Sequence, residues 1–221
     1  MKIKGEDLFT LAFWLTMIMI IIVFIANAEC KWEKVDKLTD GLVVNIFTYQ
    51  DGLFIGCGSG VIIDENVCVT SNHVIRFGNT FKVMFQGEVY TATFLDSSGA
   101  MDGIAFLKID NFFCSNPAQF AKPQLHTQIM IKANAMNIPN IIIYGNVSMR
   151  RNIFGYNHKI WFIDRGIAPG MSGGGVWNKD GKLVGILFGI FNLRWTFMGL
   201  FTSSRNVEKQ YLLYKTRKGL K

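Results

Sequence analysis

Beyond about residue 38 no apolar stretch runs far before a turn interrupts it, and that pattern limits the chain to a fold made of many short strands. Leu42–Thr48 is the first such run, and Leu53–Ile55 leads through Gly58-Ser59-Gly60 into Val61–Ile63. Asp64-Glu65-Asn66 reads as a hairpin turn with Val67–Thr70 returning from it, and Phe81–Phe85 and Tyr90–Phe94 flank a second turn at Gln86-Gly87-Glu88. Ile104–Ile109 closes this first group. A second group comprises Gln128–Ala133, Ile141–Asn146, Ile160–Asp164, Gly174–Asn178, Leu183–Phe188 and Thr196–Phe201, with the hairpin dipeptide Asp180-Gly181 between two of its members. Between the groups, Asn111–Pro123 carries two prolines and a cysteine and has no period, so it reads as a link. Only Asn206–Tyr214, near the end, has a helical pattern. Two sets of about six strands without alternating helices predict an all-β chain packed as sandwiches or barrels. Composition agrees, with 22 glycines for turns, 4 prolines and half the 221 residues hydrophobic.

The N-terminal segment is of another kind. Leu8–Ala28 holds no charged residue, with Lys2, Lys4, Glu6 and Asp7 ahead of it. A run of that length suffices to cross the hydrocarbon core as a helix. It also suits a secretory signal peptide, because Ala26 and Ala28 put small residues where a signal peptidase needs them, before Glu29. Either reading puts the remainder of the chain at a membrane or beyond it, on the periplasmic or extracellular side. A segment apolar on every face is a poor surface helix for a domain of this size. Residues 1–28 are therefore expected to be a signal peptide or membrane anchor, and residues 29–221 the working domain.

The formal charge is +7, yet the basic residues are scattered, densest in the tail at Lys215, Arg217, Lys218 and Lys221. No aromatic residues interleave with a basic patch, so nucleic acid is not an expected partner. The cysteines are Cys30, Cys57, Cys68 and Cys114. A turn centred near Glu65 sets Cys57 opposite His73 rather than Cys68, so free thiols are expected. No CxxC, no zinc-like Cys/His spacing, no phosphate loop and no dinucleotide fingerprint occurs, so neither metal nor cofactor is expected. His126 and His158 stand alone and read as structural or surface residues.

Chemistry concentrates in three strings. Gly170-Met171-Ser172-Gly173-Gly174 sets a serine among glycines, where a tight backbone can aim N–H groups at a developing oxyanion. A serine needs a neighbouring base, and Val69-Thr70-Ser71-Asn72-His73-Val74 places a histidine just past a strand. Met101-Asp102-Gly103-Ile104 places a carboxylate just before another strand, where it can orient an imidazole and stabilise its charged form.

Taken together, Gly58–Ile63, Thr70–Val74, Asp102–Lys108 and Pro169–Ile186 resemble the trypsin-like serine peptidases, most of all their HtrA/Deg-like branch. The order His, Asp, Ser is that of the family, with 29 residues from His73 to Asp102 and 70 from Asp102 to Ser172. The resemblance runs from about Leu42 to Phe201. It implies two six-stranded antiparallel β-barrels, at about 38–112 and 124–203, with a cleft between them. It gives His73 the part of general base and then acid, Asp102 that of its orienting partner, and Ser172 that of nucleophile. The N–H groups of Gly170 and Ser172 would form the oxyanion hole. Gly166, Phe188, Gly189 and Ile190 would wall the substrate side-chain pocket. The substrate is then a protein or peptide, and the apolar wall suggests aliphatic or aromatic residues before the cut.

The chain departs from the family at three points. Gly103 intervenes between the aspartate and its strand, so strict register puts glycine at the acid position; a bulge would still let Asp102 reach His73, with Asp96 and Asp110 as the other acids at hand. Gly175 replaces the proline common after Ser-Gly-Gly. No PDZ module is expected. The alternative function is a catalytically inactive binding module on the same fold. A serine esterase fits poorly, because the serine lacks a Gly-x-Ser-x-Gly elbow and the residue order is wrong for an α/β-hydrolase.

Overall fold

The computed structural model describes residues 5–98, 103–136, 138–153, 155–156, 158–193 and 196–220, and excludes the side chains of 5–12, 24–30 and 193. The chain divides between Leu38 and Thr39 into two compact units.

The first unit is a helix, α1 (Gly5–Leu38). No glycine or proline interrupts the chain between Glu6 and Asp40, so nothing in the backbone breaks it. The apolar side chains from Phe13 to Val23 are exposed, Trp14 at 60%, whereas Val35 near its end is buried. Among the described residues, no helix is long and apolar enough to cross a membrane.

The second unit is all-β apart from a turn of helix and a closing helix. Six strands form one closed antiparallel barrel: β1 (Val43–Gln50), β2 (Leu53–Asp64), β3 (Val67–Ser71), β4 (Thr80–Phe85), β5 (Glu88–Ser97) and β6 (Ile104–Ile109), in the order β1-β2-β3-β6-β5-β4. Six more form a second: β7 (Gln128–Ala135), β8 (Ile138–Arg151), β9 (Ile160–Ile163), β10 (Gly175–Trp177), β11 (Leu183–Leu193) and β12 (Thr196–Ser203), in the order β10-β11-β12-β9-β8-β7. Closure leaves no long open edge. Alternate residues point inward: Val44 and Ile46, with Ala105, Leu107 and Ile109, fill the first barrel, and Ile129, Ile131, Ala133 and Ala135 fill the second.

Apart from exposed Lys108, β6 is buried on both faces. Phe106, fully buried, faces away from the barrel core and meets Tyr211 with ring centroids 5.3 Å apart. Tyr211 belongs to the closing helix α3 (Ser204–Arg217), which ties the end of the second barrel back to the first. Its hydroxyl donates to Asp64 at 2.8 Å, Lys215 lies 3.4 Å from the same carboxylate, and Arg217 pairs with Asp96. Burial alone would raise the Asp64 carboxyl, but the Glu65 N–H, Tyr211 and Lys215 hold it below the usual carboxylate range.

The link between the barrels is irregular, as its sequence suggests. It is held by backbone bonds to both barrels: Cys114 N–H to Glu65 C=O, Ala118 N–H to Ile62 C=O, and Ala121 N–H to Leu183 C=O. Several strands outrun the runs expected from sequence. β2 continues through Gly56–Gly60 as one strand because β1 pairs with it there, and two of its glycines leave room for neighbouring side chains. A Cβ on Gly60 would lie 2.8 Å from Ile46, and one on Gly58 2.6 Å from Val74. β8 and β11 also continue past the expected ends, where β7, β9 and β12 pair with them.

Candidate active site

The serine loop is built from two successive tight turns. Met171 N–H donates to Ala168 C=O at 3.1 Å and Gly174 N–H to Met171 C=O at 2.9 Å. The third residue of each turn is a glycine in the left-handed region, Gly170 at φ +88° and Gly173 at φ +89°, the geometry of type II turns, with Pro169 preset at the second position of the first. Neither site admits a side chain. A Cβ on Gly173 would lie 1.9 Å from the Ser59 carbonyl oxygen, and one on Gly170 2.7 Å from the Met136 nitrogen. Met171, wholly buried in the second core, pins the loop from beneath.

The first barrel grips the same loop. Ser59 N–H donates to Ser172 C=O at 2.8 Å. The buried Ser59 hydroxyl accepts from Asn134 N–H at 2.8 Å and lies 2.9 Å from Gly170 C=O, within donating distance. Thr70 donates to Ser59 C=O at 2.6 Å. Among the described residues, the N–H groups of Gly170 and Ser172 find no internal acceptor, so both are free to donate to a substrate oxygen.

His73 stands in a single turn of helix, α2 (Asn72–Ile75), that begins where β3 ends. Thr48 donates to Val74 C=O at 2.8 Å and fixes that turn on the barrel. The Ser71 hydroxyl lies 2.9 Å from His73 Nδ1. Burial disfavours the charged imidazole and lowers its pKa from the ordinary value. His73 and Ser172 line one cleft of about 330 Å³ with Ile55, Gly56, Cys57, Val74, Phe77, Pro169 and Gly170. Among the described residues no hydrogen bond joins the two.

Asp102 lies outside the described residues. Its neighbour Gly103 is buried, and Gly103 C=O accepts from Asn72 N–H at 2.8 Å, so this end of β6 abuts the histidine turn. Of the other acids, Asp96 is paired with Arg217. Asp110 follows β6 at its far end: Ser71, beside His73, pairs with Ile104, whereas Lys108 pairs with Val67.

None of the expected pocket residues is among those lining that cleft, although β11, which carries three of them, bonds to the serine loop through Leu187. Phe188 is buried with Ile160, Phe162 and Leu200 and packs on Tyr156, in an apolar cluster separate from the residues that fill the second barrel, which its neighbour Leu187 joins. A Cβ on Gly166 would face Phe197 at 3.2 Å. Gly189 and Ile190 follow an irregularity in β11, with Ile190 exposed. Cys57, Cys68 and Cys114 are free thiols. Cys68 faces the first core, where burial pushes its thiol up to about 12. Cys57 pairs with Phe47 rather than with a cysteine and lines the cleft beside His73, as the turn near Glu65 implies. Sequence reasoning gave Ser59, Ser71 and Asn134 no part, although Ser59 and Ser71 lie within its own motif strings; their contacts cross between segments far apart in the chain.

Two closed antiparallel barrels, with a histidine from one and a glycine-bound serine from the other at a shared cleft, define the double-barrel peptidase class. Residues 58–186 match the trypsin-like peptidase domain family, and the chain belongs to it. A serine protease Do-like HtrA of Bacillus subtilis is 30% identical over 148 residues, 59% of this chain and 33% of that protein. A probable periplasmic serine endoprotease DegP-like of Rhizobium meliloti is 28% identical over 142 residues, 61% of this chain and 28% of that protein. The chain thus spans about a third or less of these relatives. The fold is similar to that of the Rv3671c protease from M. tuberculosis in its active form, with TM-score 0.69, 18% identity and coverage of 80% of this chain and 82% of that one. An inactive form of the same protease gives TM-score 0.69 over 81% of this chain and 92% of that one.

Proposed function

We propose that this protein is a serine endopeptidase that cuts protein or peptide substrates through an acyl-enzyme. The observation that carries the reading is the cleft shared by His73 and Ser172, with the Gly170 and Ser172 N–H groups free beside it. His73 Nε2 takes the Ser172 hydroxyl proton as Oγ attacks the peptide carbonyl. The oxyanion forms against Gly170 and Ser172 N–H, in a loop already rigid before substrate arrives. The imidazolium then protonates the leaving amine, and water repeats the sequence on the acyl ester. Asp102, two residues before β6 in the sequence, supplies the negative charge that favours the imidazolium.

The uncharged run Leu8–Ala28 and the exposed apolar side chains of α1 support a chain anchored to a membrane, or exported past it by a cleaved signal peptide. Glycine and isoleucine at 189 and 190 support an apolar residue before the cut. A peptide-library profile dominated by lysine or arginine would sink that preference. A second reading, an inactive binding module, has one observation in its favour: no hydrogen bond joins His73 to Ser172.

A fluorophosphonate probe on the full chain in detergent micelles separates the two. Labelling that Ser172→Ala abolishes supports the peptidase; a folded chain that never labels supports the binding module. Alkaline carbonate extraction and N-terminal sequencing test the first segment: a chain that stays with the membrane is anchored, and one that begins at Glu29 has been cleaved.

A further inference from the structure

We propose that Ser71 is a positioning residue for His73: its hydroxyl accepts the Nδ1 proton of the charged imidazole and holds the ring with Nε2 toward Ser172. The proposal rests on the peptidase reading above. Ser71 Oγ lies 2.9 Å from Nδ1, and Ser71 is wholly buried, so no water competes for that nitrogen from its side. Ser71 also occupies the N-cap position of α2, where a serine ordinarily bonds a free N–H of the first turn, yet its side chain makes no such bond. The hydroxyl is turned to the imidazole instead.

An imidazolium donates from both ring nitrogens, so in the charged state Ser71 can only accept. A hydroxyl keeps its own proton when it accepts. The partner of Nδ1 thus comes from the histidine's own segment, two residues before it.

Few other charges bear on His73. Of the titratable groups on the strands packed against α2, Cys57 shares the cleft, where burial raises its thiol pKa. Cys68 faces the barrel core, Asp64 and Lys108 sit at the far end of β3, and Tyr49 packs against Phe54 and Lys82. Arg76, next to α2, lies over the Phe77 ring.

The test compares the full chain with Ser71→Ala and Ser71→Thr in detergent micelles. It follows the His73 ring by NMR titration and Ser172 by the pH dependence of fluorophosphonate labelling. In Ser71→Ala the His73 titration and the acid limb of labelling should move together to lower pH, and labelling should slow roughly tenfold, the worth of one lost hydrogen bond to a charged group. Ser71→Thr, which keeps the hydroxyl, should restore both. Because Ser71 does not cap α2, thermal stability should hardly change. A His73 titration and acid limb that stay in place in Ser71→Ala overturn the proposal, whatever happens to the melting temperature. If wild type never labels, the peptidase reading fails, while the titration still decides whether Ser71 holds the ring.

Discussion

The two sides of the cleft are built on opposite plans. The serine side is over-determined: two turns, two left-handed glycines that admit no Cβ, a buried methionine beneath and Ser59 gripping from the other barrel all fix one loop shape. Among the described residues, the histidine side rests on one short helical turn, the Thr48 bond to Val74 C=O, a single hydrogen bond to Nδ1 and the backbone contact between Asn72 and Gly103. The difference suits the two tasks. An oxyanion hole works only if its donors are aimed before the charge appears, so rigidity there favours the rate directly. A base must accept a proton, carry charge briefly and return it, and needs an environment that tolerates both states.

Four substitutions break or sharpen that contrast, in falling order of effect. Asp102→Asn should lower kcat by about 10⁴, the loss typical when a triad carboxylate is neutralised. A fall of less than tenfold in steady-state hydrolysis would mean that the histidine side works without a charged partner. Gly170→Ala should cost about 10²–10³ in kcat, because the added methyl group and the left-handed φ together displace an oxyanion donor; KM should move far less. Near-wild-type turnover there would show that the loop is looser than its turns imply. Ser59→Ala strands the buried Asn134 N–H and should lower the unfolding free energy by about 1–3 kcal/mol, read by urea denaturation. Tyr211→Phe, distant from the cleft, should cost about 1 kcal/mol or less and leave kcat unchanged.

That last variant has a pH signature. The Asp64 carboxyl is held below its ordinary range, so its contribution is present above the unfolded carboxylate value and disappears as pH falls through the folded one. The wild-type advantage over Tyr211→Phe should therefore shrink in melts at acid pH. His73 has the same sign in its own range. Its neutral form is favoured by burial, so stability falls as pH drops below about 6.5 and the unfolded histidine takes up a proton first.

Much of the fold was legible because strands and turns are local. The run Ile104–Ile109 and the Asp180-Gly181 turn read directly from residue type, and the last helix from its pattern. The extent of β2, β8 and β11 was not legible, since those strands continue only where a neighbouring strand meets their backbone. At the site, the serine string betrays its turns through Gly170 and Gly173, residues chosen for backbone conformation alone. Phe188 could not be sorted between pocket and core by type, because an apolar ring suits either; in the structure it joins Tyr156 and Phe162 in a cluster apart from the residues that fill the second barrel.

By itself the sequence determined the class of fold, the order of the histidine, aspartate and serine strings, and an N-terminal run without charge. Each of these follows from residue chemistry within a few positions of the chain. Only the tertiary structure decided that Ser59 locks the serine loop across 111 residues of chain, that α3 ties the second barrel to the first, and that the hydroxyl of Ser71 turns away from its helix to the imidazole. Those contacts depend on distance in space, and spacing along the chain carries no record of it until the barrels close.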